Sequence, residues 1–148
     1  MTTATEFLDA FNNSFVNKDS SYLDAIMAEN CTIHFTGLHQ TMTRRECLDW
    51  SESGFCKGCD NYEIVQDTDD SIAGTHRAWG SSEEAGKWNS NCFFFAKKMG
   101  GKIIEWYVHA RPIVDYAITL IQFHPEIEHH TLLEVANLIA VVEGDARF

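Results

Sequence analysis

Four stretches that read as β-strands follow one another over 62–68, 71–79, 86–98 and 101–111, and the links between them are very short. Parallel pairing needs a crossover of a dozen or more residues. Here Asp69-Asp70, Gly80-Ser81-Ser82-Glu83-Glu84 and Gly100-Gly101 supply only turns, each polar or glycine-rich. The chain therefore has to build consecutive antiparallel hairpins. Polar or ionisable side chains alternate with apolar ones in two of these strands. One contains Gly74-Thr75-His76; the other is Gly101-Lys102-Ile103-Ile104-Glu105-Trp106-Tyr107-Val108-His109-Ala110-Arg111-Pro112.

Helical signals precede the hairpins. Thr3-x-x-Glu6 is a capping-box pattern, and Phe7, Leu8, Phe11, Phe15 and Val16 follow at helical spacing. Polar residues 17–21 break that helix. Tyr22, Leu23, Ile26 and Met27 predict a short second one. Cys31 to Thr36 alternates as a half-buried strand, with Cys31, Ile33 and Phe35 on one face and His34 on the other, exposed. Gly37 to Gln40 reads as a turn or short return strand. Thr43-x-x-Glu46 opens a third helix carrying Cys47, Leu48 and Trp50, stopped by Gly54 or Gly58. Past Pro112, residues 113–123 are apolar without a deciding period. Pro125 and the apolar run from Leu132 to Val142 predict a C-terminal helix ending at Gly144. Helices segregated from an antiparallel sheet make an α+β domain. A single domain over 1–148 is expected, with a core of about 5–112 and an extension over 113–148.

A net charge of −11 repels phosphate backbones and anionic membrane surfaces, so neither nucleic acid nor membrane is an expected partner. No run of about 20 apolar residues predicts a membrane span. The start, Met1-Thr2-Thr3-Ala4-Thr5-Glu6, lacks the basic and apolar segments of a secretory signal. With five cysteines, an odd number, this predicts free thiols and a cytoplasmic location. Cys56-x-x-Cys59 stands without a second ligand pair, and the seven histidines show no metal-ligand spacing, so no metal and no other cofactor is expected.

The element order, with Gly74-Thr75-His76 and Gly101-Lys102-Ile103-Ile104-Glu105, resembles the SnoaL-like branch of the nuclear transport factor 2-like superfamily over roughly residues 5–112. The resemblance implies a cone in which a strongly curved antiparallel sheet wraps around N-terminal helices and leaves an apolar cavity. Polyketide cyclases, ketosteroid isomerases and scytalone dehydratases share it, so the fold alone implies little about reaction. His76 matches a cavity histidine of the cyclases. Arg111 stands where the cyclases keep an aspartate, and Tyr107 where they keep a tryptophan. Phe11, Phe35 and Phe93 occupy positions that are polar and catalytic in the isomerases, which argues against steroid isomerase chemistry.

The resemblance also implies that Ile103, Glu105, Tyr107, His109 and Arg111 face the cavity. Trp106 and Val108 would then meet a second copy of the chain in a homodimer. The residues themselves argue the reverse, because Ile104, Trp106, Val108 and Ala110 form the apolar set that ordinarily faces a core. His76 shares a face with Ile72, Gly74 and Ala78, where it is either a satisfied core histidine or a functional base whose pKa burial lowers. Asn89, Asn91, Phe93 and Phe95 share a face of the next strand, placing Asn91 beside His76. Arg111 is the expected carboxylate grip, unless Glu105 or Asp115 holds it. Trp50 closes the cavity or packs in the core. The expected site is thus His76, Tyr107, Asn91 and Arg111 as catalytic groups, with Phe11, Phe35, Trp50, Phe93, Phe95 and His109 lining the ligand. The expected ligand is a small apolar molecule, with or without a carboxylate. The expected function is cofactor-free lyase or isomerase chemistry on a small carbonyl or hydroxyl compound. A non-catalytic binding module, or an assembly domain with a vestigial pocket, is the alternative.

Overall fold

Two capping boxes fix where the long helices begin. The Thr3 hydroxyl accepts from Glu6 N at 3.1 Å and the Glu6 carboxylate from Thr3 N at 2.9 Å, starting α1 (Ala4–Asn17). Thr43 and Glu46 repeat the exchange at 3.2 Å in both directions to start the third helix, α3 (Arg44–Glu52). Each box satisfies two amides that a helix start leaves unpaired. Between them lie α2 (Ser21–Asp24), β1 (Met27–Phe35), a short 3-10 turn (Thr36–Leu38) and β2 (Gln40–Thr43). Met27, expected to close the second helix, instead opens β1 with its side chain buried.

The structure, a computed structural model, describes residues 1–83 and 86–112. The chain divides into two compact units, Met1–Ile113 and Val114–Phe148. The expected C-terminal helix lies outside the described residues.

The hairpins are β3 (Cys56–Asp67), β4 (Ser71–Ser82), β5 (Gly86–Met99) and β6 (Lys102–Pro112). They join β1 and β2 in a curved, unclosed six-stranded sheet of order β2-β1-β6-β5-β4-β3, which gives an α+β fold with the helices on one face. Every pairing is antiparallel except β1 with β6, which is parallel. β3 begins six residues earlier than its hydrophobic pattern suggests, so Cys56 and Cys59 lie within a strand. Gly100 (φ +60°) and Gly101 (φ +79°) turn the β5–β6 hairpin through the left-handed region that suits a two-residue loop.

The core is aromatic. On the helix-covered face Phe7 and Phe11 of α1 meet edge to face at 5.0 Å, and Trp106 lies 4.4 Å from Phe11 and 5.6 Å from Phe7 between ring centroids. Phe94 packs 5.3 Å from Phe7. Rings at such separations and tilts gain beyond their area burial.

One irregularity sets the register of β6. Lys97 pairs with Glu105 but Lys98 pairs with Ile103, so Ile104 is an extra residue in a β-bulge. Ile103, Trp106 and Val108 therefore all point toward the helices and are buried, whereas Glu105 and Tyr107 point away. This reverses the face that the family resemblance implied for Glu105, Tyr107, His109 and Arg111. The physical reason is the ordinary one: the apolar set of the strand takes the core. Trp106 and Val108 are consumed there, which removes the ground on which a two-fold contact through them was expected.

Candidate functional site

Strand alternation divides the candidate residues between two faces. In antiparallel pairs, opposed residues point the same way. His76 is opposite Cys92 and Cys92 opposite Ala110, so this row faces the helices together with Phe94 and Val108. Arg77 opposite Asn91 opposite Arg111, and Thr75 opposite Phe93 opposite His109, form two rows on the other face.

On the inner face His76 is half-buried beside Phe94, their ring centroids 5.8 Å apart. Its Nδ1 is buried and has no hydrogen-bond partner. Burial lowers its pKa from 6.5 to about 4, and among the described residues no carboxylate offsets that shift by stabilising the charged ring. The imidazole is therefore neutral at physiological pH. Trp106 Nε1 and Ser14 Oγ are likewise buried without partners. Ala110 lies on the same face two residues beyond buried Val108, yet it is exposed, so the cover over the His76 row ends there. Phe11, Phe35 and Trp50 also lie on this side. Trp50 meets Phe15 at 5.2 Å and Phe35 at 5.5 Å, both edge to face, and Phe35 reaches Trp106 at 5.9 Å.

The glycine of Gly74-Thr75-His76 has a structural cause. A Cβ there would stand 2.5 Å from the Glu63 carbonyl oxygen and 3.1 Å from the Phe94 ring. The backbone of β3 bulges against β4 at this point, with register shifts between Asp60 and Glu63 and between Ile64 and Gln66. Gly74 thus lets β3 approach and sets the strand from which His76 projects.

The outer face carries a polar network instead. Glu105 accepts from Tyr107 Oη at 2.6 Å and Lys97 Nζ at 3.0 Å, and lies 3.1 Å from His34 Nε2. Those contacts, Tyr107's first, hold its carboxyl down at a pKa of about 2. His34, expected to be exposed, is half-buried and stacked on Tyr107 at 4.5 Å. The parallel β1–β6 pairing brings them together, with His34 opposite Tyr107. Phe95 is a half-buried neighbour of Tyr107 at 6.3 Å.

Known structures that cover most of this chain share its fold. The chain has the nuclear transport factor 2-like fold. A nuclear transport factor 2-like protein from Anabaena variabilis matches 75% of this chain and 94% of its own, at a TM-score of 0.55 and 14% identity. A protein of ketosteroid isomerase-like fold from Catenulispora acidiphila, solved with trimethylamine, matches 72% of this chain and 85% of its own at a TM-score of 0.59 and 14% identity. IdmH from Streptomyces antibioticus, a candidate polyketide cyclase, matches 72% of this chain and 90% of its own at 0.55 and 16%. No protein-family model matches the sequence, and no curated protein matches it significantly.

Strand alternation turns the expected residues to opposite faces of this nuclear transport factor 2-like sheet, while His76, Asn91, Phe93, His109 and Arg111 together line one pocket of about 380 Å³. His76, Phe11, Phe35 and Trp50 belong to the helix-covered side. Tyr107, Asn91, Arg111, Phe93, Phe95 and His109 belong to the opposite side. The amide expected beside His76 is replaced by Cys92, whose thiol burial pushes up to about 11. Phe93 does not stand in the interior position implied by the isomerase comparison; Cys92 and Phe94 flank it there. The signal that finds the right phase was present in the sequence. Ser90, Cys92, Phe94 and Ala96 are the small and apolar alternation of β5, and all are buried. Cys56 and Cys59 are buried free thiols, both pushed by burial to about 12, and so are inert as thiolates at neutral pH. Among the described residues, no group of three or more His, Cys, Asp or Glu is arranged to hold a metal, and no helix is long and apolar enough to cross a membrane.

Proposed function

We propose that this protein binds a small, largely apolar molecule on the helix-covered face of its sheet, with the neutral His76 imidazole as the hydrogen-bonding contact. The observation that carries this reading is the buried, unpartnered Nδ1 of His76. A buried polar group left unpaired costs about 1–3 kcal/mol, and a ligand carbonyl or hydroxyl in place would recover it. Trp106 Nε1 and Ser14 Oγ, unpaired on the same side, add to the argument.

Binding without turnover is favoured over proton transfer by the same residue. A general base works best with a pKa near the working pH. His76, at about 4, lies well below, and no carboxylate among the described residues orients it. Cofactor-free lyase or isomerase chemistry is the second reading. It is favoured by the candidate polyketide cyclase and the ketosteroid isomerase-like structure that share the fold. In that reading Nδ1 or Nε2 takes the proton α to a carbonyl, leaving an enolate and an imidazolium, and returns it to carbon.

The test uses 2-cyclohexenone as the small carbonyl probe. Titration should shift the His76 ring nitrogens in 15N–1H spectra saturably, and His76→Leu should abolish the saturation. Probe binding that leaves the His76 ring unmoved overturns the proposal. Deuterium uptake into the probe in D2O, faster with wild type than with His76→Leu, would establish the catalytic reading.

A further inference from the structure

Where β2, β1 and β6 run side by side, the outer face holds three functional groups in line. His34 of β1 is opposite Thr41 of β2, and their side chains meet, Nδ1 to Oγ1 at 3.2 Å. The other ring nitrogen of His34, Nε2, lies 3.1 Å from Glu105 Oε1 of β6. A hydroxyl, an imidazole and a carboxylate touching in that order are the parts of a nucleophile, its base and the group that orients the base. None of the three lines the pocket that contains His76, and the inference goes beyond the binding reading without resting on it.

The direction of each hydrogen bond follows from what the groups can give. Glu105 is ionised, its pKa held at about 2, and an ionised carboxylate only accepts. In the neutral ring the proton therefore sits on Nε2, which donates to Glu105, and Nδ1 is a bare lone pair. Thr41 must then donate to Nδ1. This is the polarity that activates an alcohol. The ring is ready to take the hydroxyl proton, and the carboxylate stabilises the imidazolium that forms.

The supports are held in place. Tyr107 Oη donates to Oε1 at 2.6 Å and Lys97 Nζ to Oε2 at 3.0 Å, so both oxygens of Glu105 are fixed. The Tyr107 ring stacks on His34 at 4.5 Å and sets the plane of the imidazole. The His34 and Glu105 side chains are 26% and 28% exposed, while Thr41 is exposed, so a substrate from solvent meets the hydroxyl first. Among the described residues β2 is an edge of the sheet. The N–H of Thr43 donates to Glu46 Oε1 and so points away from β1. Thr41, two residues earlier in the strand, shares that orientation. Its N–H thus lies on the open edge, beside its own hydroxyl, as a donor for a developing oxyanion.

We infer that Thr41, His34 and Glu105 form a hydrolytic site for small uncharged esters. Thr41 Oγ1 bonds to the ester carbonyl carbon while its proton passes to His34 Nδ1. The tetrahedral intermediate collapses by breaking the C–O bond to the alcohol, which leaves with the electron pair and takes the proton from Nδ1. Water then attacks the acyl-threonine, giving its proton to Nδ1, and the acid is released as Thr41 Oγ1 recovers that proton. Glu105 is a positioning residue: it fixes the tautomer and touches no reacting atom. With one oxyanion donor, the site suits an ester, whose alcohol leaves more readily than the amine of an amide. A net charge of −11 disfavours anionic esters.

Hydrolysis of p-nitrophenyl acetate by the full chain tests this. Wild type is expected to release p-nitrophenolate at least about tenfold faster than Thr41→Val, which keeps the side-chain shape and removes the hydroxyl. Thr41→Ser should restore turnover, which a loss of folding at this position would not allow. Peptide mapping after acid quench should find the acetyl group on Thr41, and His34→Gln should lose that adduct. Glu105→Gln should lower kcat about tenfold or more with KM unchanged. In 15N–1H spectra the neutral His34 ring should carry its proton on Nε2 in wild type and lose that preference in Glu105→Gln. The inference is overturned if Thr41→Val turns over at the wild-type rate, or if the acetyl group is found only on lysine or histidine. It is also overturned if neutral His34 carries its proton on Nδ1.

Discussion

The two faces of the β4–β5–β6 sheet are built from the same strands but solve opposite problems. The inner face is mostly buried and holds polar atoms without partners; the outer face is mostly exposed and pairs the groups around Glu105, though Asn89 Oδ1 there is buried and unpaired. His76 and Glu105 show the contrast. One loses its charge because burial offers no partner, and the other keeps its charge far below the usual carboxylate range because three neighbours hold it. A titratable group thus reports its face by the cause of its pKa shift as well as by its exposure.

The strongest way to break this contrast is truncation at adjacent positions of one strand. Trp106→Ala, removing a ring packed against Phe7, Phe11 and Phe35, should cost about 3–5 kcal/mol in urea unfolding. Tyr107→Ala, one residue on, should cost less than about 1.5 kcal/mol, because its hydroxyl is bonded at the surface. Similar costs would mean that the faces are not distinct. Next in size, Gly74→Ala should cost about 1–3 kcal/mol, since its Cβ must push the β3 backbone away. An unchanged midpoint would show that β3 does not crowd β4.

The smallest effects are acid ones, and they separate the faces by pH. His76 takes a proton more readily unfolded, at 6.5, than folded, at about 4. Its contribution to stability is intact above pH 6.5 and lost as pH falls toward 4, by roughly 1–2 kcal/mol after allowance for its partial exposure. His76→Leu should flatten that window and raise stability below it. Glu105 runs the same way at lower pH: its contribution is present above 4.5 and fades as pH falls toward about 2. Screening at the surface keeps it under about 1 kcal/mol, and Glu105→Gln should remove it. Stability curves that do not lose these two steps separately would refute the assignment.

Much of this was legible in the sequence, and the limits are physical. Both capping boxes, the strand with Cys31 and Ile33 inward, the hairpins and the Gly100-Gly101 turn follow from local rules that act over a few residues. His34 was misread because its partner sits across a parallel pairing of strands more than seventy residues apart. Nothing in either segment names the other. His76 was placed on the correct small and apolar face because Ile72, Gly74 and Ala78 surround it. The residues assigned to work with it were placed on the wrong face of β5 and β6. There the strand's own apolar alternation, Trp106 and Val108, was outweighed by a family pattern whose register the bulge at Ile104 changes.

That bulge carries a consequence for how such a domain changes its chemistry. Side chains along a strand obey odd–even parity, and the bulge at Ile104 lets Ile103 and Trp106, three residues apart, face the same way. Were Ile104 drawn into the ladder as an ordinary residue with Ile103 held in place, Glu105, Tyr107, His109 and Arg111 would turn inward and Trp106 outward, exchanging the two chemistries without a single substitution. Deleting Ile104 would instead regularise the ladder and leave both faces as they are, so it is the bulge, and not the length of the strand, that sets which chemistry each face carries.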